Sequence, residues 1–192
     1  MKKPKQTARA WLFGAMAASM LLSGCNKLTQ YTISEREVNT YLQKHSDFKK
    51  NIGIPGVADA RIEVTDLASQ IGRTEADKVR LSGNARVDID TLWGSQRADV
   101  QLTLQAQPYY DKSRGAIYLR DMRLLDYRVQ PETLASTFSA LSPYLDLALK
   151  SYFDTQPAYV LDADRDKNEA LAKRLAQRID VIPGALVIPF SY

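Results

Sequence analysis

Few residues of this chain have the types and spacing that catalysis needs. Cys25 is the only thiol and His45 the only imidazole, so the sequence excludes both a multi-histidine metal site and an internal disulfide. It also contains no Gly-x-Ser-x-Gly elbow and no glycine-rich phosphate loop. A serine hydrolase would have to use His45 as its base, which requires a fold that brings this residue beside a serine. The sequence therefore predicts a protein that is not an enzyme and uses no cofactor or metal.

Three alternating aspartates resemble the start of a calcium-binding loop. They are Asp162, Asp164 and Asp166. The loop would need a glycine at its sixth position and a glutamate at its twelfth, where this chain has Lys167 and Lys173. The cluster is therefore predicted to be the solvated entry of a helix.

Cys25 ends a segment with the three parts of a secretory signal. Its basic residues are Lys2, Lys3, Lys5 and Arg9, and the apolar run 10–22 follows them. This run is shorter than the roughly 20 residues that span a bilayer. The residues Leu22-Ser23-Gly24-Cys25 resemble the lipobox of bacterial lipoproteins. The resemblance implies that the leader 1–24 is cleaved and that Cys25 carries a diacylglycerol and an N-linked acyl chain such as palmitate. The alternative is a plain signal peptide followed by a chance cysteine.

The basic net charge of +4 belongs to this leader. Four of the 26 Lys and Arg residues lie in 1–24 and none of the 22 Asp and Glu residues do, so the chain from Cys25 onward is balanced. Its bulk charge therefore does not favour binding to the phosphate backbone of a nucleic acid.

A short polar connector, 26–32, follows the cysteine and leads into one predicted domain, 34–192; the lipidated cysteine and its tether together occupy 25–33. An extended chain of this length reaches only about 25 Å, which keeps the domain close to its membrane. Lipoproteins of enterobacteria with an aspartate after the cysteine favour the inner membrane, whereas this chain has Asn26. The resemblance therefore implies anchoring in the inner leaflet of the outer membrane, facing the periplasm.

The domain is predicted to open with a helix and to continue as a β-meander. Ser34 and Glu37 form a capping-box pattern, and the turn-rich segment 53–56 closes the helix. The apolar period then becomes two in four long segments, which indicates half-buried antiparallel strands. The inward residues are Ile62 and Val64; Val79, Leu81, Gly83, Ala85, Val87 and Ile89; Ala98, Val100, Leu102, Leu104 and Ala106; and Ile117, Leu119, Leu125, Tyr127 and Val129.

A long apolar helix is predicted to follow the meander. Pro131 suits its first turn, and an apolar stripe of Leu134, Phe138, Leu141, Leu145, Leu149 and Phe153 runs along it. Pro143 interrupts the stripe, so the segment is predicted either to bend or to divide into two helices at that point. Strands this long with one apolar face must curl, and the helix is the element around which they would wrap.

The C-terminal segment adds shorter elements. An extended piece is predicted at 158–161 and a helix at 169–179. Two strand pieces flank the turn Pro183-Gly184. The last of them is predicted to be an edge strand, because Pro189 cannot donate a ladder hydrogen bond.

Irregular segments along the chain resemble the YceB family of enterobacterial lipoproteins. They are CNKLTQYTI at 25–33, IGIPGVADA at 52–60, SQIGR at 69–73, PYL at 143–145, QPAYVL at 156–161 and VIPF at 187–190. The resemblance implies an α+β fold like that of tubular lipid-binding (TULIP-like) domains, a half barrel in which a long, curved antiparallel meander wraps a helix of the C-terminal half.

Between such a sheet and helix we expect a groove for a lipid or another apolar ligand. Its predicted lining is Val79, Leu81, Val87, Ile89, Val100, Leu102, Leu104, Leu134, Phe138 and Leu141. The alternative is an envelope adaptor that contacts a protein partner through an exposed apolar patch on its outer surface.

Overall fold

The computed structural model describes residues 29–45, 48–54, 58–92 and 94–190, with backbone only for 54 and 58. The leader, the lipobox residues and Cys25 lie outside these residues. The strands are β1 (Gln30–Ser34), β2 (Lys49–Ile54), β3 (Ala58–Ile71), β4 (Val79–Thr91), β5 (Gly94–Asp111), β6 (Ala116–Gln130), β7 (Tyr159–Val160), β8 (Asp180–Ile182) and β9 (Ala185–Pro189). The helices are α1 (Glu35–His45), α2 (Ala135–Phe153) and α3 (Lys167–Leu175), and a 3₁₀ turn, Glu132–Leu134, precedes α2.

The main sheet confirms the predicted α+β class and the long antiparallel meander. Its order is β2-β3-β4-β5-β6-β7, all neighbours are antiparallel, and the sheet is not closed. Helix α2 contacts both β6 and β2, which lie far apart in this order. The sheet must therefore curl around the helix, as the strand lengths predict.

The sequence does not predict strand β2, because Gly53 and Ile54 suit a turn that closes α1. The structure instead pairs Lys49–Ile54 with β3, from Lys49 opposite Glu63 to Ile54 opposite Ala58. Pairing with β3 provides hydrogen-bond partners for the N–H and C=O groups of this segment, so it forms a strand although its glycine favours a turn.

Three register shifts change which side chains face inward. One lies in β3 between Thr65 and Ala68, and two lie in β6, opposite Gln105–Gln107 and opposite Thr103–Leu104. Asp66 and Asp121, at the first two, have positive φ angles of 54° and 53°. Aspartate is one of the residues that tolerate this conformation. In β6 the bulge buries Met122, whereas Leu125 is 44% exposed. The predicted inward position of Leu125 is therefore wrong, because an inserted residue inverts the alternation.

Helix α2 is one continuous helix with Pro143 inside it, so the division into two helices is not observed. Proline removes the N–H that would bond to the Ser139 carbonyl. The Ser142 hydroxyl donates to that oxygen at 2.9 Å and replaces the lost bond. The predicted stripe is buried, including Phe138, Leu145 and Phe153.

The second sheet has the order β1-β9-β8, so the last strand is central and its predicted edge position is wrong. Pro189 is the final residue of β9 and lies beyond the residues that pair with β8, where Asp180 pairs with Val187. Its missing N–H therefore does not interrupt the ladder between them. Strand β1 also shortens the predicted connector, because Gln30–Ser34 pairs with β9.

The two shorter helices begin with caps that the sequence indicates. The Ser34 N–H donates to Glu37 Oε2 at 2.8 Å and the Glu37 N–H donates to Ser34 Oγ at 3.3 Å, which confirms the capping box. Asp166 caps α3 by accepting the Asn168 N–H at 3.0 Å. Helix α3 covers Lys167–Leu175 instead of the predicted 169–179. It ends early because the backbone of Ala176 is already extended.

Candidate functional site

The predicted ligand-lining residues all lie in one apolar core. Each is at most 6% exposed, and each belongs to the same cluster of buried side chains. They come from β4, β5, the 3₁₀ turn and α2. The structure therefore brings them together on the inner face of the sheet, while the binding of a ligand among them stays a prediction.

The boundary between β6 and α2 is partly open to the surface, since Leu124 is only half-buried and Leu125 is exposed. Strand β6 pairs with β7 at Ala116 and Ile117. Further along β6, the Leu124 N–H donates to Asp146 Oδ1 of α2 at 2.7 Å. Among the residues that the structure describes, strand β6 has no strand partner on this side here, so a side chain of α2 accepts the hydrogen bond of its backbone N–H. We call this boundary the seam.

A cavity of about 740 Å³ lies at the seam. Its lining combines apolar and charged side chains: Arg123, Leu124, Leu125, Asp126, Tyr127, Ser142, Pro143 and Asp146. The Tyr127 ring packs on the Phe138 ring with 4.8 Å between the centroids. Phe138 is a predicted lining residue and is fully buried in the core. The Tyr127 side of the cavity therefore lies directly against the apolar interior.

Sequence reasoning missed most of the seam. It placed Leu125 and Tyr127 on the inner face but assigned no role to Asp146 or Leu124. A signal was present, because the apolar residues Met122 and Leu124 occupy the opposite parity to Leu119. Such a change of parity within one strand indicates a bulge.

A buried polar cluster lies outside the seam and joins β1, β7 and α3. Glu169 is fully buried; its Oε1 accepts the Tyr159 hydroxyl at 2.9 Å and Arg165 Nη2 at 2.7 Å. Its Oε2 accepts no hydrogen bond from the described residues. Arg165 also donates to the Tyr159 hydroxyl oxygen.

The tyrosines of this cluster are held in their neutral form. Burial raises the pKa of Tyr159 well above its usual range, and it also raises the pKa of Tyr31, where the charge of Glu169 adds to the effect. The hydrogen bond to Tyr159 raises the pKa of Arg165, which keeps its charge opposite Glu169. The charges of Arg165 and Glu169 therefore compensate each other, and the cluster links β1, β7 and α3.

His45 makes contacts within its own helix. Its ring stacks on Tyr41 with 4.0 Å between centroids, and Nδ1 lies 2.9 Å from the Tyr41 carbonyl oxygen. Within the described residues, no group of three or more His, Cys, Asp or Glu side chains is arranged to hold a metal ion. The cluster Asp162, Asp164 and Asp166 is exposed and forms turn and cap hydrogen bonds, including the Asp164 N–H to Asp162 Oδ1 at 3.0 Å.

Comparison with known proteins identifies close relatives. A family model described as "Protein of unknown function (DUF1439)" matches residues 33–185. "Uncharacterized lipoprotein YceB" of Salmonella typhimurium is 54% identical over 177 residues, which cover 92% of this chain and 95% of the relative. The protein of the same name from Escherichia coli is 53% identical over the same shares of both chains.

Among solved structures, a crystal structure of lipopolysaccharide binding protein aligns with 84% of this chain at 12% identity and a TM-score of 0.29. The chain spans about half of that protein, 49% of its length. A match at this score carries no argument about ligand. In the described residues, no helix is both long and apolar enough to cross a membrane.

Proposed function

Because the chain belongs to the YceB family of lipoproteins, we propose that it is a membrane-anchored binding protein that holds an apolar ligand between its curled sheet and α2. The ligand class is an acyl chain, carried by a phospholipid or a lipid intermediate. The proposed anchor is the lipidated Cys25, and the proposed place is the inner leaflet of the outer membrane, facing the periplasm. The proposed role is not catalytic.

The seam cavity is the observation that carries this proposal. Its volume of about 740 Å³ falls within the range of small-molecule sites, about 300–1,000 Å³. The Tyr127 ring, which lines the cavity, packs directly on Phe138 of the core, so an acyl chain in the cavity would lie against apolar side chains. An acyl chain that entered there would displace side chains of an apolar interior without desolvating buried charges.

The charged rim of the seam suits the polar end of a lipid. Arg123 lines the cavity and is exposed, so its guanidinium is available to a phosphate or carboxylate oxygen at the cavity mouth. Asp146 is engaged by the Leu124 N–H and keeps the strand and helix together below this rim. The arrangement therefore separates a polar entrance from an apolar interior.

Native mass spectrometry of the mature chain with Cys25 replaced by serine tests the proposal, because this chain needs no detergent. We expect a copurifying lipid, or one taken up from added fluorescent fatty acid. The variant L125W fills the seam cavity and should weaken this binding by about tenfold, equivalent to about 1.4 kcal/mol.

The matched control is L92W, which adds the same ring at a position 84% exposed on the β4–β5 turn. It should bind the fatty acid as the parent does. A folded parent that neither carries nor takes up an apolar ligand would refute the proposed function. Equal binding by L125W and L92W would show that the seam is not the entrance.

A further inference from the structure

The middle of the outward face of α2 carries no charged side chain, unlike a typical solvent-exposed helix face. We define this outer face by Ala140, Pro143, Tyr144 and Leu147, all of which are exposed. Leu147 is 67% exposed and Tyr144 is 43% exposed. The opposite face of the helix is buried in the core through Phe138, Leu141 and Leu145, among others. The middle of α2, from Ala140 to Leu147, therefore exposes apolar side chains on its outer face as well, whereas Ser136, Ser139 and Lys150 flank them.

The other two helices follow the usual amphipathic pattern. Arg36 and Lys44 are exposed on α1, and Lys173 and Arg174 are exposed on α3. In α2, by contrast, Asp146 is the only charged residue between Ala135 and Leu149. Large apolar side chains grouped on an exposed helix face often mark a surface that another apolar body covers. The outer face of α2 therefore fits an apolar environment better than water.

The position of the lipid anchor indicates what provides that environment. The Phe190 N–H donates to the Thr29 carbonyl oxygen at 2.8 Å, so the folded body already includes Thr29. The segment from Cys25 to Thr29 spans at most about 13 Å when extended. A tether this short gives the domain a high effective concentration at the lipid surface. Even a weak affinity of an apolar helix face for lipid would then keep that face on the membrane.

We infer that the outer face of α2 rests on the phospholipid surface to which Cys25 is anchored. Leu147 lies at the boundary between head groups and acyl chains, and Tyr144 places its ring there with its hydroxyl toward water. Lys150, exposed one turn beyond Leu147, points its ammonium group toward the lipid phosphates. This inference rests on the anchor in the proposed function and not on ligand binding in the interior.

Depth-dependent fluorescence quenching tests this contact on the mature chain, 25–192. Cys25 is its only thiol, so coupling to maleimide lipid in phosphatidylethanolamine–phosphatidylglycerol vesicles reproduces the anchor. Trp93 is replaced by phenylalanine, because it is the only tryptophan after the leader. Tryptophan is then introduced singly as L147W or A140W. Both should lose most of their emission to lipids brominated near the head group, with a shift to shorter wavelength.

The matched control is Q101W, at an exposed position on the sheet face turned away from α2. Its emission should not change on brominated vesicles, and circular dichroism should confirm that all variants fold. The inference would be overturned if L147W and Q101W were quenched equally, or if neither were quenched. An L147W signal that vesicles leave unchanged but an envelope-protein fraction shifts would also overturn it, in favour of a protein partner. Fatty-acid binding by the unanchored chain is measured without vesicles, so the proposed function fails or succeeds separately.

Discussion

Tyr159 and Glu169 bring polar groups into the core, and the half-exposed Arg165 pairs with both of them. Neither Tyr159 nor Glu169 has any exposed surface. The Tyr159 hydroxyl donates to the Glu169 carboxylate at 2.9 Å, and the charged Arg165 guanidinium donates to the same carboxylate oxygen. Removing one partner of such a set leaves the others buried without compensation, which costs more than the net value of the bond. At the residue scale the cluster therefore makes a specific contribution to stability.

The cluster predicts how stability depends on pH under alkaline conditions. The folded pKa of Tyr159 is raised above its ordinary value of 10.0, so its contribution is complete below that pH. It is lost as the pH rises further, because the unfolded chain releases the phenol proton first. We expect Y159F to lower the unfolding free energy by about 1–3 kcal/mol at neutral pH, because the Glu169 carboxylate loses a donor.

Above about pH 10 the unfolding free energy of Y159F should fall less steeply than that of the parent. Urea titrations at neutral and alkaline pH would measure both effects. The control Y144F removes an exposed hydroxyl and should reproduce the parent. A parallel decline in Y159F and the parent would contradict the role of this phenol.

At the scale of elements, the two sheets are joined where α1 begins. Glu35 Oε2 accepts the Ile71 N–H from the end of β3 at 2.9 Å, and the Gly184 N–H donates to the Ile71 carbonyl oxygen at 2.8 Å. The Glu35 N–H completes the ring by donating to the Gly184 carbonyl oxygen at 2.9 Å. Gly72 follows with φ of 59°, and a Cβ there would lie 2.8 Å from the Ile182 carbonyl oxygen. Close backbone approach therefore fixes how the sheets meet.

This joint predicts an acid-dependent effect for E35Q. The Arg73 guanidinium, which donates to both Glu35 carboxylate oxygens, lowers the pKa of Glu35 below its ordinary value of 4.5. Its contribution is therefore present above that pH and is lost as the pH falls through the folded value. Because Arg73 is 54% exposed, we expect E35Q to cost at most about 1 kcal/mol at neutral pH.

Acid titration of unfolding should show a flatter decline for E35Q than for the parent below about pH 4.5. The control E132Q changes an exposed glutamate at the start of the 3₁₀ turn. If E132Q flattened the acid decline as much as E35Q, the effect would not come from the joint.

At the scale of the whole molecule, the anchor and the seam divide the proposed work. In the proposed function the lipidated Cys25 would hold the domain at a lipid surface, and the seam cavity would admit the ligand. The rings of Tyr127 and Phe138, which join the cavity wall to the core, carry no charge. The adaptor hypothesis stays open as the alternative use of the same outer surface.

The anchor makes a prediction for the full chain in cells. Replacing Cys25 by serine removes the thiol that the diacylglycerol requires, so C25S should move from the membrane fraction to the soluble periplasmic fraction. Multiple acyl chains hold a protein firmly, because each buried methylene contributes about 0.8 kcal/mol. Fractionation and immunoblotting would measure the change. The control S23A keeps a small residue in the lipobox and should stay with the membrane, whereas membrane retention of C25S would contradict the anchor.

The sequence by itself determined the elements whose signals are local. Alternation over 79–90 and 98–106 follows directly from the period of a strand with one buried face, and the structure confirms it. The capping box at Ser34 and the buried stripe from Leu134 to Phe153 are also local patterns. The lipobox at Leu22-Ser23-Gly24-Cys25 and the leader before it are local patterns too, but they lie outside the described residues and stay a prediction.

Only the tertiary structure decided where these elements meet. Leu125 turns outward because β6 shifts register near Asp121 and again at Leu125, which has no partner on β5. Strand β9 becomes central because β1 pairs with it from the other end of the chain. The seam depends on Asp146 of α2 reaching the backbone of Leu124, 22 residues earlier. Such contacts join residues distant in sequence, and their energy depends on the curl of the sheet rather than on any local period.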